Sequence, residues 1–168
     1  MKVSKDSKEL LELLNKNNIK YIIVGGYALG YHSRPRYTED IDIWIEASYE
    51  NAEKIIHALH EFGFASLHIT IDDLIQPEKV IQLGLPPQRI DILTSIDGID
   101  FQEAWEQKIE AKFGNIDVAI LSLNDLIQVL DVEALLATNL PMNREYIQSH
   151  LAELHIASDQ KIMNIILQ

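Results

Sequence analysis

The chain contains no cysteine. That excludes a disulfide framework and any thiolate metal site, and it fits a cytoplasmic protein. No apolar run approaches the roughly 20 residues that a membrane-spanning helix needs, so no membrane partner is expected. The opening MKVSKDSKELLELL places acids among its leucines, unlike a secretory leader. Glycine (7) and proline (5) are sparse, and there is no internal repeat, linker or low-complexity stretch. Basic residues are few: 14 Lys and Arg stand against 26 Asp and Glu, a net charge of −12. A broad basic surface for a long nucleic-acid footprint is therefore excluded. What remains is an ordinary globular balance, 47% apolar and 24% charged, in 168 residues, which is one domain's worth of chain.

The charge is uneven along the chain. Residues 1–36 hold seven basic and three acidic residues, net +4; the remaining 132 hold seven and 23, net −16. The elements follow from patterning. Leucines 10, 11, 13 and 14 predict an amphipathic helix over 7–17. A short β-branched run, 21–24, ends at Gly25-Gly26 as a buried strand and tight turn, with a brief helix over 28–32. Residues 40–46 alternate strictly, with Ile41, Ile43 and Ile45 on one face and Asp40, Asp42, Trp44 and Glu46 on the other. Ser48 caps a helix over 49–62 that Gly63 ends. Strands are predicted over 64–69, 79–83, 89–93 and 117–121, a helical turn over 72–75 and a helix over 101–108. Ser122, with Asp125 three residues on, caps a final helical stretch broken at Leu140-Pro141.

Four constellations can carry chemistry. Gly25-Gly26, between a buried strand and a helix start, lets backbone approach a ligand, and helix-start N–H groups favour phosphate. Residues 25–30 lack the GxGxxG spacing of a dinucleotide fingerprint. Asp40-Ile41-Asp42 places two carboxylates on one strand face, roughly 7 Å apart, where they repel unless a cation lies between them; oxygen ligands of this kind suit Mg²⁺. A solvated acidic strand face is the plain alternative, which Trp44 on the same face weakens. Asp91, flanked by isoleucines, needs a partner if buried. That partner is either Arg89 on its own face or a metal shared with Asp40 and Asp42. Arg34, Arg36 and Thr38, directly before the paired aspartates, are donors suited to phosphate oxygens, or simply surface groups of a loop. His57 and His60, at helical spacing with no third ligand nearby, read as a solvated face. His32 has no assigned role.

Together these parts supply a phosphate cradle, charge neutralisers and ligands for two metals, which is what phosphoryl transfer requires. Gly-Gly, a spacer of 13 residues, Asp-x-Asp and a later strand aspartate resemble the polymerase-β-like nucleotidyltransferase superfamily. Within it, VGGYALGYHSRPRYTEDIDIWIE (24–46) is most similar to a small bacterial group that includes the nucleotidyltransferase-like toxins of type IV toxin–antitoxin systems.

The resemblance spans about residues 8–128. It implies a mixed α/β nucleotidyltransferase fold of about five strands, with a core over 1–122 and a helical tail over 123–168 packed on it. It further implies that Gly25 and Gly26 hold a nucleoside triphosphate with help from Arg34, Arg36 and Thr38. Asp40, Asp42 and Asp91 would bind two Mg²⁺ ions (or Mn²⁺) and carry catalysis. A nucleoside monophosphate would then pass to an acceptor hydroxyl on an RNA end, a protein or a small molecule, with an antitoxin protein as a further partner if the chain is a toxin. A catalytically silent nucleotide- or protein-binding relative is the alternative. Two departures stand out. Tyr27 replaces the usual Ser or Thr, and Gln128 runs directly into Val129 where a Lys-bearing stretch is expected, so that lysine is either lost or on a loop absent from the sequence.

Overall fold

A computed structural model describes residues 4–32, 40–85 and 89–129. Arg34, Arg36, Thr38 and the residues beyond 129, where a helical tail with a break at Leu140-Pro141 is expected, lie outside them. Helix α1 (Lys5–Lys16) is opened by Ser4, whose hydroxyl accepts from the Ser7 N–H, and it buries Leu10, Leu11 and Leu14. Strand β1 (Tyr21–Val24) leads into helix α2 (Gly25–His32), and strand β2 (Ile41–Ile45) into helix α3 (Tyr49–Phe62). Ser48 caps α3 and Gly63, at φ +104°, ends it. Helix α4 (Ile71–Ile75) carries a reciprocal Thr70–Asp73 cap. Strands β3 (Val80–Leu83) and β4 (Ile90–Leu93), helix α5 (Phe101–Gln107), strands β5 (Ile109–Phe113) and β6 (Ile116–Ile120) and helix α6 (Leu123–Val129) follow. Ser122 and Asp125 make the expected cap of α6, Ser122 Oγ accepting from the Asp125 N–H and donating to its carboxylate.

Among the described residues the six strands form one mixed sheet in the order β3-β4-β2-β1-β6-β5. Five of the strands correspond to predicted segments, and the sixth, β5, was not among the predicted strands. Its signal is present: Ile109, Ala111 and Phe113 alternate with Glu110 and Lys112, and Gly114 (φ +68°) and Asn115 turn the chain back onto β6. The strand expected over 64–69 is instead a 3₁₀ turn, Ala65–Leu67. Gly63 reverses the chain, the Phe64 N–H returns to Leu59 O, and Phe64 packs on Phe62. The segment is held by the end of α3 and does not join the sheet.

Burial fixes the register that matters. Ile41, Ile43 and Ile45 are each about 1% exposed, and burial of each such side chain contributes about 1.5–3 kcal/mol. A slip of one residue would bring them to the carboxylate face and lose that contribution. On β4, Ile90 and Ile92 do the same. Among the described residues no helix is long and apolar enough to cross a membrane.

Candidate active site

The pairing of β1, β2 and β4 brings the acids together. Asp42 lies opposite Val24, the last residue of β1, and side by side with Asp91 of the parallel β4. Asp40 precedes Asp42 by two residues and so projects to the same face. Trp44, next on that face, is buried beneath α5 with its ring edge-to-face against Phe101, centroids 5.0 Å apart. The carboxylates therefore stand at the rim of an apolar layer rather than on a washed strand face.

Gly25 begins α2 at φ +59°, a conformation glycine adopts without strain. A Cβ there would collide with the Asp42 carboxylate, its nearest approach to Cγ being 2.8 Å. The Gly26 N–H donates to the same carboxylate. The glycine turn is thus pressed against one of the paired acids, and glycine is required at position 25 for two independent reasons.

Asp42 is held up at a pKa of about 6. Burial is the main cause, followed by the repulsion of Asp91; the Gly26 N–H partly offsets this, Asp40 adds repulsion and Arg89 relieves some. Arg89 supplies the local positive charge. Its Nη2 lies 2.7 Å from Asp40 Oδ2 and its Nε 2.8 Å from Asp91 Oδ1. One guanidinium therefore ties together two strands' carboxylates. Of the two partners open to Asp91 in sequence, Arg89 is in contact, and it reaches Asp40 as well.

Among the described residues no group of three or more His, Asp or Glu side chains is closed into a metal-holding cluster. The donor set nonetheless fits a hard divalent cation. Three carboxylates meet on one face, and the pKa of Asp42 is raised first by burial and then by the repulsion of Asp91, a repulsion that a cation would relieve. Asp40, Asp42 and Asp91 are the residues that would hold it.

Among the described residues, His57 and His32 do not join the site. His57 is mostly exposed, 3.9 Å from Glu61. His32 ends α2 with Nε2 2.7 Å from Leu121 O, fastening that helix to the segment after β6. A cleft of about 790 Å³ bordered by Asn15, Tyr21, Trp105, Lys108 and Asp117 is lined by none of the three aspartates.

The model of the aminoglycoside-2″-adenylyltransferase family matches residues 7–125. No curated protein matches the chain significantly. Among solved structures, a protein of Thermotoga maritima assigned as a nucleotidyltransferase aligns with a TM-score of 0.52 at 14% identity, over 88% of this chain and 91% of that one. The complex of ANT(2″)-Ia with adenylyl-2″-tobramycin aligns at 0.46 and 15% identity, over 96% of this chain and 92% of that one.

Proposed function

The chain belongs to the aminoglycoside-2″-adenylyltransferase family, within the polymerase-β-like nucleotidyltransferase superfamily, and on that premise we propose a Mg²⁺-dependent transfer of a nucleoside monophosphate to a hydroxyl of a small polycationic acceptor of the aminoglycoside class. The observation that carries this reading is the convergence of Asp40, Asp42 and Asp91 on one sheet face, with the Gly25-Gly26 turn pressed against Asp42. The net charge of −12 supports the acceptor, because an acidic protein draws in a polycation and offers little to a long nucleic acid. The family match favours this acceptor over an RNA end or a protein hydroxyl, and hence over a toxin with an antitoxin partner.

Asp40, Asp42 and Asp91 would hold the metal and orient the acceptor hydroxyl for in-line attack at the α-phosphate, with pyrophosphate leaving. Mg²⁺, when bound, supplies charge neutralisation on the triphosphate and a lowered pKa for the attacking hydroxyl. The Gly25-Gly26 turn lets backbone approach the β- and γ-phosphates without a side chain intervening. Arg34, Arg36 and Thr38 would neutralise and bind the triphosphate.

A second reading, a silent relative that binds nucleotide without turnover, is favoured by two observations: Arg89 occupies oxygens of Asp40 and Asp91, and Gln128 passes to Val129 inside α6 with no lysine-bearing stretch. Mass spectrometry separates the two. The chain is incubated with Mg²⁺, each nucleoside triphosphate and, in turn, kanamycin- and gentamicin-type aminoglycosides, total RNA and cell protein. Gain of a nucleoside monophosphate mass on the aminoglycoside is expected. Gain on RNA or protein alone would move the acceptor, and gain on none, with nucleotide binding intact in calorimetry, would establish the silent reading.

A further inference from the structure

We propose that Arg89 is an internal counter-cation that holds Asp40 and Asp91 while no metal is bound, and that metal entry requires it to release at least one of them. The inference rests on the reading of Asp40, Asp42 and Asp91 as metal ligands.

The argument starts from where the guanidinium is. Arg89 directly precedes β4, two residues before Asp91 and on the same face. Its Nε serves Asp91 on its own strand while Nη2 reaches across to Asp40, at the start of the neighbouring strand. The oxygens it takes, Asp91 Oδ1 and Asp40 Oδ2, belong to two of the three carboxylates that a cation would need. Asp42, two residues after Asp40 and directly beside Asp91 in the sheet, is hydrogen-bonded instead by the Gly26 N–H.

Three acids packed this closely, with isoleucines behind them, are costly without positive charge. The flexible arginine on that face provides it from within the chain. A guanidinium suits this task because it forks to two carboxylates at once and stays charged at any working pH. It cannot share those oxygens with a divalent cation without repulsion, since like charges this close repel strongly where water is scarce. Arg89 thereby keeps the acids from splaying when empty and sets a threshold for metal binding. It acts through the ligands and is a positioning residue.

The test is Mn²⁺ binding to the full chain without nucleotide, followed by calorimetry and by electron paramagnetic resonance. Arg89→Met should bind Mn²⁺ at least about tenfold more tightly than the wild type, because the competing charge is gone. Arg89→Lys, whose single ammonium cannot fork between two carboxylates, should fall between them. The metal-free thermal midpoint of Arg89→Met should drop, and saturating Mn²⁺ should raise it by more than it raises the wild type's. Equal or weaker Mn²⁺ binding by folded Arg89→Met would overturn the inference. If Arg89→Met does not fold, the Arg89→Lys comparison decides alone, in the same direction. Asp42→Ala separates this from the underlying reading. If wild type and Asp42→Ala bind Mn²⁺ alike, the metal-site reading itself fails. If Asp42→Ala loses binding while Arg89→Met gains none, only the role of Arg89 falls.

Discussion

Two regions of this sheet each pair a basic side chain with aspartate, and the pairs do opposite things. At the β5–β6 hairpin, Lys112 meets Asp117 at 2.8 Å with 66% and 79% of the two side chains exposed. At the β2–β4 junction, Arg89 meets Asp40 and Asp91 at nearly the same separations, with Asp91 only 9% exposed. Water screens the first pair, so it contributes about 0–1 kcal/mol. The second lies where water is thin, so its charges are felt by every neighbour, and Asp42 is pushed to about 6 by burial first and Asp91 next. A basic side chain and an aspartate at nearly the same distance make an exposed surface pair in one place and a half-buried charge cluster in the other. Burial, not pairing, is the difference.

Substitutions at the junction and elsewhere should therefore differ by orders of magnitude. The largest effect is expected from Asp42→Asn, which should lower nucleotidyl transfer at least about 10³-fold, measured as pyrophosphate release. Gly25→Ala should come next. It places a methyl group into the Asp42 carboxylate at a left-handed φ, and about 2–4 kcal/mol of stability and most activity should go. Gly63→Ala is the matched control: φ is again positive but nothing lies within 4 Å, so only about 1–2 kcal/mol should be lost and activity kept. Thermal melts and assays on both variants separate backbone strain from the close approach. Lys112→Ala should change the melt by less than about 1 kcal/mol and leave activity intact.

The pH dependence sharpens the same contrast. Asp42 has a raised pKa, so its charged form is disfavoured in the folded chain. The metal-free protein should therefore gain stability as pH falls through about 6, until the unfolded carboxyl also protonates. The gain is about 1–2 kcal/mol after screening of this partly exposed group, and it should vanish in Asp42→Asn. Metal binding should run the other way, weakening below about pH 6 as Asp42 protonates. Melts in chelator and Mn²⁺ titrations between pH 5 and 8 check both directions.

Much of this was legible in the residues. The alternation of Ile41, Ile43 and Ile45 placed Asp40 and Asp42 on one face because a buried strand has period two, and the caps at Ser48, Gly63 and Ser122 follow local chemistry that tertiary structure leaves alone. The segment 64–69 looked like a strand because its apolar residues are those of one, yet a strand needs an edge to join, and which edges are free is decided elsewhere in the fold. The hairpin strand Ile109–Phe113 has the period-two alternation of a strand, but its short length and its charges, Glu110 and Lys112, make that signal weak in the sequence alone.

At the site, the partnership of Arg89 with Asp91 was one of two open options. Its reach to Asp40, and the approach of Gly25 to Asp42, depend on which strands become neighbours. Spacing along one strand cannot show a contact between two.

The most direct test of the central claim, that Asp40, Asp42 and Asp91 form the catalytic centre of a nucleotidyltransferase, is pyrophosphate release by wild type and Asp42→Asn. Both would be assayed at pH 8 with Mg²⁺, nucleoside triphosphates and an aminoglycoside. Release by the wild type that chelator stops, with at least about a 10³-fold loss in Asp42→Asn, is the predicted result. Equal release by the two proteins, or release undiminished by chelator, would contradict it.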